Sequence, residues 1–307
     1  MDTILHRPPS IEEELLGFDR YMRRVRGLAP TTRRNRIRVV RGLLCTRFVG
    51  RAVEFSVLQP DDIRQFIAEQ LEQRHSTSHA RAIATALRAY LRYRAGCGDQ
   101  TEALAGVISS PAQWSLSSLP RSLTDSEVER LLGSFTPGVP SYRRGYAMVR
   151  CGLDMGFRSG EIAKLTLTDI DWSVGTVTLR RTKSRREDVL PLPQPTGQAI
   201  VDYLRFERPA SESSAVFVRH KAPRGVPISA DAVRRVIRDA YRRIGLTHGR
   251  SHALRHTVAR RLLEQGGSLK EVADVLRHRS LNTSLIYTKL DNRRLLGVAL
   301  PWPGSAS

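Results

Sequence analysis

Apolar residues recur at helical spacing through the first hundred residues of the chain, and a stretch rich in Gly, Ser and Pro then interrupts the pattern. The spacing predicts four helices, over residues 11–26, 30–48, 60–73 and from residue 77 onward. Ser10 and Glu13 form a capping-box signature before the first of them. The interruption at residues 96–120 predicts a linker. We therefore expect a helical domain over residues 1–105, a linker over 106–118, a larger domain over 119–291 and a tail over 292–307.

Beyond the linker the pattern changes from helices alone to helices with a short pair of strands. Helices are predicted over residues 125–133, 141–156, 231–244, 252–265, 268–277 and 280–286. Apolar and polar residues alternate over residues 175–193 on both sides of a polar turn at 182–187, which predicts an antiparallel hairpin. The expected fold class is mostly α with a small antiparallel β-sheet.

The charge balance of the chain constrains its partners. Lys and Arg number 50 against 30 Asp and Glu, for a net charge of +20 and a pI near 11.0. Such a charge attracts polyanions, so nucleic acid is the first partner to consider and an anionic membrane surface the second. No apolar run approaches the roughly 20 residues that span a bilayer, and no signal core follows the first residues. The three widely spaced cysteines suit a reducing compartment, so we expect a cytoplasmic protein without a membrane partner.

Arginine supplies nearly all of the positive charge, and the second and fourth predicted helices carry much of it. A charged helix face is usually only solvated, and a genomic bias toward arginine codons would give the same excess. Acidic residues are scarce on these helices, however, so repulsion between the arginines is left uncompensated. This favours a surface that contacts DNA phosphates. The residues predicted to form it are Arg33, Arg34, Arg36, Arg81 and Arg88.

A second group of residues has the chemistry needed to act on a phosphodiester. His252 and Arg255 are three residues apart at a predicted helix start, so both project from one face, and a helix N-terminus favours an anion. Attack on a phosphodiester builds charge on its non-bridging oxygens, which two guanidiniums, those of Arg158 and Arg255, can clamp. A tyrosine hydroxyl has an unperturbed pKa of about 10, so a tyrosine nucleophile needs a base to take its proton.

The order and spacing of these motifs resemble the tyrosine recombinase (phage integrase) family from about residue 10 to 291. Its arginine box is matched by Arg158 and Glu161, and its His-x-Leu-Arg-His box by residues 252–256. Its Leu-Gly-His box is matched by residues 276–278, and its tyrosine, nine residues after that histidine, by Tyr287. Two residues depart from the pattern. Phe157 replaces a leucine, and Arg277 replaces a glycine, which adds a charge that could alter DNA contact or backbone geometry beside the site.

The resemblance implies a role for each matched residue. Tyr287 attacks the scissile phosphate and forms a 3′-phosphotyrosine, which stores the bond energy, so that neither ATP nor a metal is needed for rejoining. The other implied roles are the proton acceptor for His252, the general acid for Lys183 in the predicted hairpin turn, the phosphate clamp for Arg158 and Arg255, a hydrogen bond to the phosphate for His278, and support of the arginine box for Glu161.

The resemblance also implies an architecture and partners. The first domain would be a four-helix SAM-like core-binding domain, and the second a catalytic domain with the DNA breaking-rejoining fold. The implied partners are double-stranded DNA, three further copies of the chain in a tetramer that exchanges strands through a Holliday junction, and in some systems a partner recombinase.

Two other functions are compatible with parts of the pattern. A type IB topoisomerase-like relaxase shares the chemistry, although the separate helical domain and the short chain favour a recombinase. A DNA-binding regulator without catalysis is disfavoured because every matched position is filled. His252 and His256 have the i, i+4 spacing of a zinc pair but lack the intervening glutamate and a third ligand, so no metal site is expected. His256 is interpreted as a packed or phosphate-adjacent histidine outside the catalytic set.

Overall fold

The computed structural model of the protein describes residues 9–73, 76–109, 121–180, 187–246, 251–277 and the single residue 287. The chain divides into two compact units, an N-terminal unit (Met1–Gln113) and a C-terminal unit (Trp114–Ser307). The division falls within residues 106–118, and the end points of the predicted linker stay predictions. The helix predicted over residues 280–286 and the tail predicted over 292–307 lie outside the described residues.

Helices form the N-terminal unit in the ranges that the structure describes. They are α1 (Ile11–Arg24), α2 (Pro30–Arg47), α3 (Pro60–Gln73), α4 (Thr77–Gly96) and the short α5 (Glu102–Gly106). The predicted capping box at the start of α1 is confirmed, since Ser10 and Glu13 each accept from the other's backbone N–H. The apolar stripes of α1, α2 and α4 meet in one core around Phe18, Leu44 and Tyr90. Burial of these stripes turns the remaining helix faces, with their arginines, toward solvent.

A larger helical core forms the C-terminal unit. Its helices are α6 (Asp125–Gly133), α7 (Tyr142–Asp154), α8 (Ser159–Ile162), α9 (Gln194–Phe206), α10 (Ala230–Arg243), α11 (Ser251–Glu264) and α12 (Leu269–Val275). Helix α7 lies at its centre, and its residues Ala147, Met148 and Cys151 are fully buried. Because α7 packs against α9, α10 and α11, the loop that follows it is held at the start of α11.

A three-stranded antiparallel sheet, of order β1-β2-β3, completes this unit. Its strands are β1 (Ile170–Asp171), β2 (Thr176–Leu179) and β3 (Asp188–Pro191). In β2 and β3, Val177 pairs with Leu190 and Leu179 with Asp188, which confirms the two predicted strands. Lys183, in the connection between them, lies outside the described residues.

The expected fold class, mostly α with a small antiparallel sheet, is confirmed. The SAM-like character of the N-terminal unit stays a prediction. Helix α9 is not predicted by the pattern, because Pro193, Pro195 and Gly197 at its start are typical of turns. Burial of Ile200 and Tyr203 outweighs these weak local preferences. None of the helices in the described ranges is long and apolar enough to cross a membrane.

Candidate active site

The arginine box occupies the loop between α7 and α8. Gly156 has a φ of 61°, in the left-handed region that favours glycine, and turns the chain at the end of α7. A Cβ on Gly156 would lie 2.6 Å from a methyl carbon of Leu276, so this glycine also permits close packing against the end of α12. After the turn, Arg158 adopts an extended backbone as the N-cap of α8.

Glu161 holds Arg158 through both the backbone and the side chain. One carboxylate oxygen accepts from the Arg158 backbone N–H at 2.8 Å, and the other accepts from the guanidinium at 2.7 Å. Burial raises the pKa of Glu161, but the positive charges of Arg277 and then Arg158 outweigh it, so the net pKa is below the usual value. Glu161 is therefore a carboxylate at neutral pH, and it fixes the arginine rather than exchanging protons.

Helix α11 contributes the second arginine and two histidines from its first turns. His252, Arg255 and His256 share one face because they are three and four residues apart. Arg255 is 4% exposed, and its Nη1 donates to the Gly156 carbonyl at 2.5 Å. Its Nη2 is also buried and has no hydrogen-bond partner within the described part of the chain. An unsatisfied buried guanidinium nitrogen is costly, so it favours an incoming anion.

Tyr287 lies against the same face of α11. Its hydroxyl is 2.9 Å from Nδ1 of His256, and its ring packs edge-on against the imidazole. Only 2% of the residue is exposed, and it joins a small apolar cluster with Val258, Leu263 and Leu276. Burial raises the pKa of Tyr287, while the charges of Arg255 and Arg158 act in the opposite direction. The phenol therefore lies within the electrostatic influence of both arginines.

His256 is the residue that motif reasoning placed outside the catalytic set and that the structure brings to the nucleophile candidate. Burial, followed by the neighbouring charges of His252 and Arg255, lowers its pKa to about 4. It is therefore neutral at physiological pH and can accept a proton at one ring nitrogen. Its position four residues after His252 was a usable signal, because it predicts a shared helix face. The contact with Tyr287 spans 31 residues of sequence and could not be predicted.

Arg277, the departure from the glycine of the family pattern, affects both backbone and charge. Its φ of 53° is in the left-handed region, and its side chain is 3% exposed and paired with Glu161 at 2.9 Å. Burial, followed by the charges of Arg158 and Arg277, lowers the pKa of Arg255 to about 9. The guanidiniums of Arg158 and Arg277 thus pair with one carboxylate, and the charge of Arg255 adds to theirs. This excess of positive charge suits a phosphate.

Lys183 and His278 lie outside the described residues. His252 is exposed on α11. No group of three or more His, Cys, Asp or Glu side chains that could hold a metal ion occurs in the ranges the structure describes.

The five arginines predicted to bind DNA differ in their surroundings within the N-terminal unit. Arg34 is exposed on α2. Arg36 and Arg81 line a groove formed by α2, α3 and α4, together with polar residues such as Asn35 and Gln70. Burial lowers the pKa of Arg36, and the charges of Arg92 and Arg26 lower it further. Arg33 pairs with Asp19 at 3.2 Å, and Arg88 donates to the Ile108 carbonyl at 2.5 Å.

Comparisons of the sequence identify relatives across most of the chain. The sequence pattern of the phage integrase family matches residues 121–294. The putative integrase/recombinase y4rA of Sinorhizobium fredii is 37% identical over 304 residues, which cover 98% of this chain and 73% of that relative. The tyrosine recombinase XerC of Thermodesulfovibrio yellowstonii is 31% identical over 255 residues, which cover 80% of this chain and 82% of the relative.

Solved structures share the fold at low sequence identity. XerH recombinase, bound to its palindromic difH substrate in a post-cleavage complex, has a TM-score of 0.70 at 18% identity and covers 97% of this chain and 98% of its own. A lambda integrase dimer bound to a COC′ core site has a TM-score of 0.68 at 16% identity and covers 96% of this chain and 99% of its own.

Proposed function

Since the chain belongs to the phage integrase family and is a site-specific DNA recombinase, we propose that it cuts and rejoins DNA through Tyr287. The observation that carries this proposal is the position of the Tyr287 hydroxyl. It lies beside neutral His256 and within the influence of Arg158 and Arg255. A nucleophile, the histidine that orients it and two phosphate-binding cations thus occupy one site.

The arginines prepare the phosphate for attack. The buried Nη2 of Arg255 and the part-exposed guanidinium of Arg158 donate to the non-bridging oxygens of the scissile phosphate. Oη of Tyr287 then forms a bond to phosphorus while the bond from phosphorus to the 5′ oxygen breaks. The products are a 3′-phosphotyrosine and a free 5′ hydroxyl, and the reverse reaction with a different 5′ hydroxyl completes strand exchange.

Two protons move during this step. The phenol proton passes to a histidine: His252 is the acceptor implied by the family resemblance, and His256 holds the phenolic oxygen in place. The leaving 5′ oxygen takes a proton from Lys183, and His278 donates a hydrogen bond to the phosphate. The roles of Lys183 and His278 rest on the matched motifs, and for Lys183 also on the paired strands β2 and β3 at either side of it.

The N-terminal unit supplies contacts to the DNA backbone in this proposal. Arg34, Arg36 and Arg81 are the contributors that the surroundings favour. Arg34 is exposed, Arg36 and Arg81 line one groove, and Arg36 lies among like charges whose repulsion a phosphate would relieve. Arg33 and Arg88 would contribute less, because the charge of Arg33 is offset by Asp19 and the guanidinium of Arg88 is directed toward the Ile108 carbonyl.

The larger assembly is also a proposal. The two units would act as the core-binding domain (1–105) and the catalytic domain (119–291), joined by the linker (106–118). Four copies would join two DNA sites and exchange strands through a Holliday junction in the cytoplasm. The solved relatives support DNA as the partner, since XerH was crystallised with a palindromic DNA substrate and lambda integrase as a dimer on a core site. Whether a partner recombinase takes the place of some of the identical copies is a question for experiment.

The test uses DNA recovered by repeated selection of tightly bound duplexes from a random-sequence pool. A nick placed beside the cleavage position makes the substrate a suicide substrate that accumulates the covalent adduct. We expect an adduct with the wild-type chain and none with Tyr287→Phe. Relaxation of any plasmid without a preferred site would instead support the topoisomerase-like function, and tight binding without an adduct would support a regulator.

A further inference from the structure

Arg277 occupies a backbone position that L-residues other than glycine rarely adopt. Its φ is 53°, directly after the end of α12. A side chain in the left-handed region is disfavoured by contact between its Cβ and the backbone. Such a conformation persists where the surrounding structure over-determines it, and it often marks a functional site. The contacts of the Arg277 side chain therefore hold this backbone in place.

The guanidinium of Arg277 connects the end of α12 to the arginine box. Nη1 donates to the Val275 carbonyl at 3.0 Å, and Nη2 donates to Glu161 at 2.9 Å. Nη2 is also 3.4 Å from the Gly156 carbonyl, the oxygen that accepts from Arg255. The guanidinium carbon lies 5.1 Å from the centre of the Phe157 ring. One side chain thus contacts Phe157, Glu161 and the Gly156 carbonyl, which together define the loop that carries Arg158.

Glu161 divides its carboxylate between two arginines. One oxygen accepts from the guanidinium of Arg158, and the other accepts from Arg277 and from the Arg158 backbone. Without Arg277, the backbone N–H of Arg158 alone would hold the second oxygen, and the carboxylate could turn to bind the Arg158 guanidinium with both oxygens, the preferred geometry of this ion pair. That would occupy the nitrogens that a phosphate needs. With Arg277 present, Arg158 keeps part of its guanidinium exposed, at 31% of the side chain.

We propose that Arg277 is a positioning residue for strand cleavage, which holds Glu161 and the Gly156 carbonyl so that Arg158 and Arg255 meet the scissile phosphate in fixed orientations. The inference rests on the proposed chemistry at Tyr287. Arg277 itself is buried and acts through its neighbours rather than by touching DNA. Its effect is therefore on the rate of cleavage and not on the affinity for DNA.

The decisive variant is Arg277→Gly, because it restores the residue of the family pattern and relieves the left-handed backbone. A purely structural role predicts cleavage at the wild-type rate from any variant that folds. We expect instead that adduct formation at saturating DNA slows by about 100-fold, the scale that follows displacement of catalytic groups by about 1 Å. The dissociation constant for DNA should stay within about 2-fold, because the charge that is removed is buried. Arg277→Lys keeps the charge and should recover at least part of the rate.

A second measurement keeps the inference testable if Arg277→Gly is unstable. Glu161→Gln is introduced alone and together with Arg277→Gly, and single-turnover rates are measured below the melting temperature of each variant. If Arg277 acts through Glu161, the double variant cleaves about as slowly as the slower single variant. The matched control is Arg242→Ala, which removes an exposed arginine of the same unit that pairs with Asp239.

The outcomes separate this inference from the proposed function. An adduct that persists in Tyr287→Phe contradicts the proposed function. An adduct that requires Tyr287 but forms at the wild-type rate in a folded Arg277→Gly variant overturns only the role of Arg277, as would rate losses that multiply in the double variant. An increase in the dissociation constant that matches the loss of rate would show a DNA contact rather than positioning.

Discussion

The protein has two groups of arginines in different surroundings: the arginines on the surface of α2 and α4, and the buried arginines of the candidate active site. On α2 and α4 they lie at the surface, where Arg34 and Arg38 are exposed and Arg36 is half-buried among like charges. In the C-terminal unit, Arg255 and Arg277 are 4% and 8% exposed and share one carbonyl oxygen, that of Gly156.

The difference lies in how each set can bind phosphate. The affinity that surface guanidiniums give depends on how many of them contact phosphate. Each phosphate that they neutralise releases counterions and adds a modest, salt-dependent part of the affinity. The effect of the buried guanidiniums depends on their orientation toward the scissile phosphate. They are desolvated, and Glu161 and the Gly156 carbonyl hold them in place before DNA binds. One surface arginine should therefore be replaceable, whereas one buried arginine should not.

Replacement of the buried Arg255 should cause the largest loss of cleavage rate. We expect Arg255→Ala to slow covalent-adduct formation by about 1,000-fold, the usual scale for loss of one preorganised group that stabilises charge in the transition state. Arg255→Lys should recover little, because an ammonium cannot donate to Gly156 and to phosphate in the same fork geometry. Single-turnover cleavage of the suicide substrate measures both. Arg242→Ala is the control, and a loss of less than about 10-fold for Arg255→Ala would contradict preorganisation.

Replacement of the two histidines of α11 should give the next largest loss of cleavage rate. The two variants distinguish the residue that holds the Tyr287 hydroxyl from the residue that accepts its proton. His256→Phe keeps an aromatic ring but removes the hydrogen bond to Tyr287, and should slow cleavage by about 10-fold. His252→Phe removes the proposed proton acceptor and should slow cleavage by about 100-fold. Rates at saturating DNA decide between them. A larger loss for His256→Phe would assign proton transfer to His256 instead.

The buried site should also give the C-terminal unit a pH dependence that the surface arginines lack. The pKa of His256 is about 4 in the folded chain against 6.5 for an unperturbed histidine, so the unfolded chain binds more protons between these values. His256 therefore lowers the free energy of unfolding as pH falls from 6.5 toward 4, by about 2 kcal/mol after allowance for its partial exposure. Urea unfolding at several pH values measures this loss, and His256→Phe should lose less over the same range. Equal losses in both proteins would show that His256 titrates normally.

Replacement of the surface arginines of α2 and α4 should have the smallest effect. Arg36→Ala with Arg81→Ala should weaken DNA binding by about 3- to 10-fold and reduce the slope of log affinity against log salt by about 2, near 0.9 for each phosphate that the protein no longer neutralises. Binding titrations from low to moderate salt measure both values. Arg64→Ala on α3 is the control, because its charge is compensated by Asp61. An unchanged slope in the double variant would place the DNA elsewhere on the unit.

Local signals in the sequence predicted most of the helices and strands, because capping residues and apolar spacing act within a few residues of one another. The cap formed by Ser10 with Glu13 marks the start of α1 within three residues of sequence, as the structure confirms. Helix α9 was missed because its stability comes from burial of Ile200 and Tyr203, which no local pattern reveals. Motif spacing could indicate Arg158 and Arg255.

The contacts that organise the site were beyond sequence reasoning because they join distant segments. Arg277 and Glu161 are 116 residues apart, and His256 and Tyr287 are 31 apart. The glycine-to-arginine departure at residue 277 predicted an added charge beside the site and a change in DNA contact or backbone geometry, but not where the charge lies. The structure shows a left-handed backbone and a buried guanidinium, which Glu161 and the Phe157 ring accommodate.

The most direct test of the central claim is to locate the DNA on the protein. The adduct trapped on the suicide substrate is digested with trypsin and nuclease, and mass spectrometry identifies the modified residue. We predict a nucleotide joined through its 3′ phosphate to Tyr287, in the tryptic peptide of residues 280–289, with a free 5′ hydroxyl on the released strand. A nucleotide on any other residue, or a link through a 5′ phosphate, would contradict the proposed mechanism.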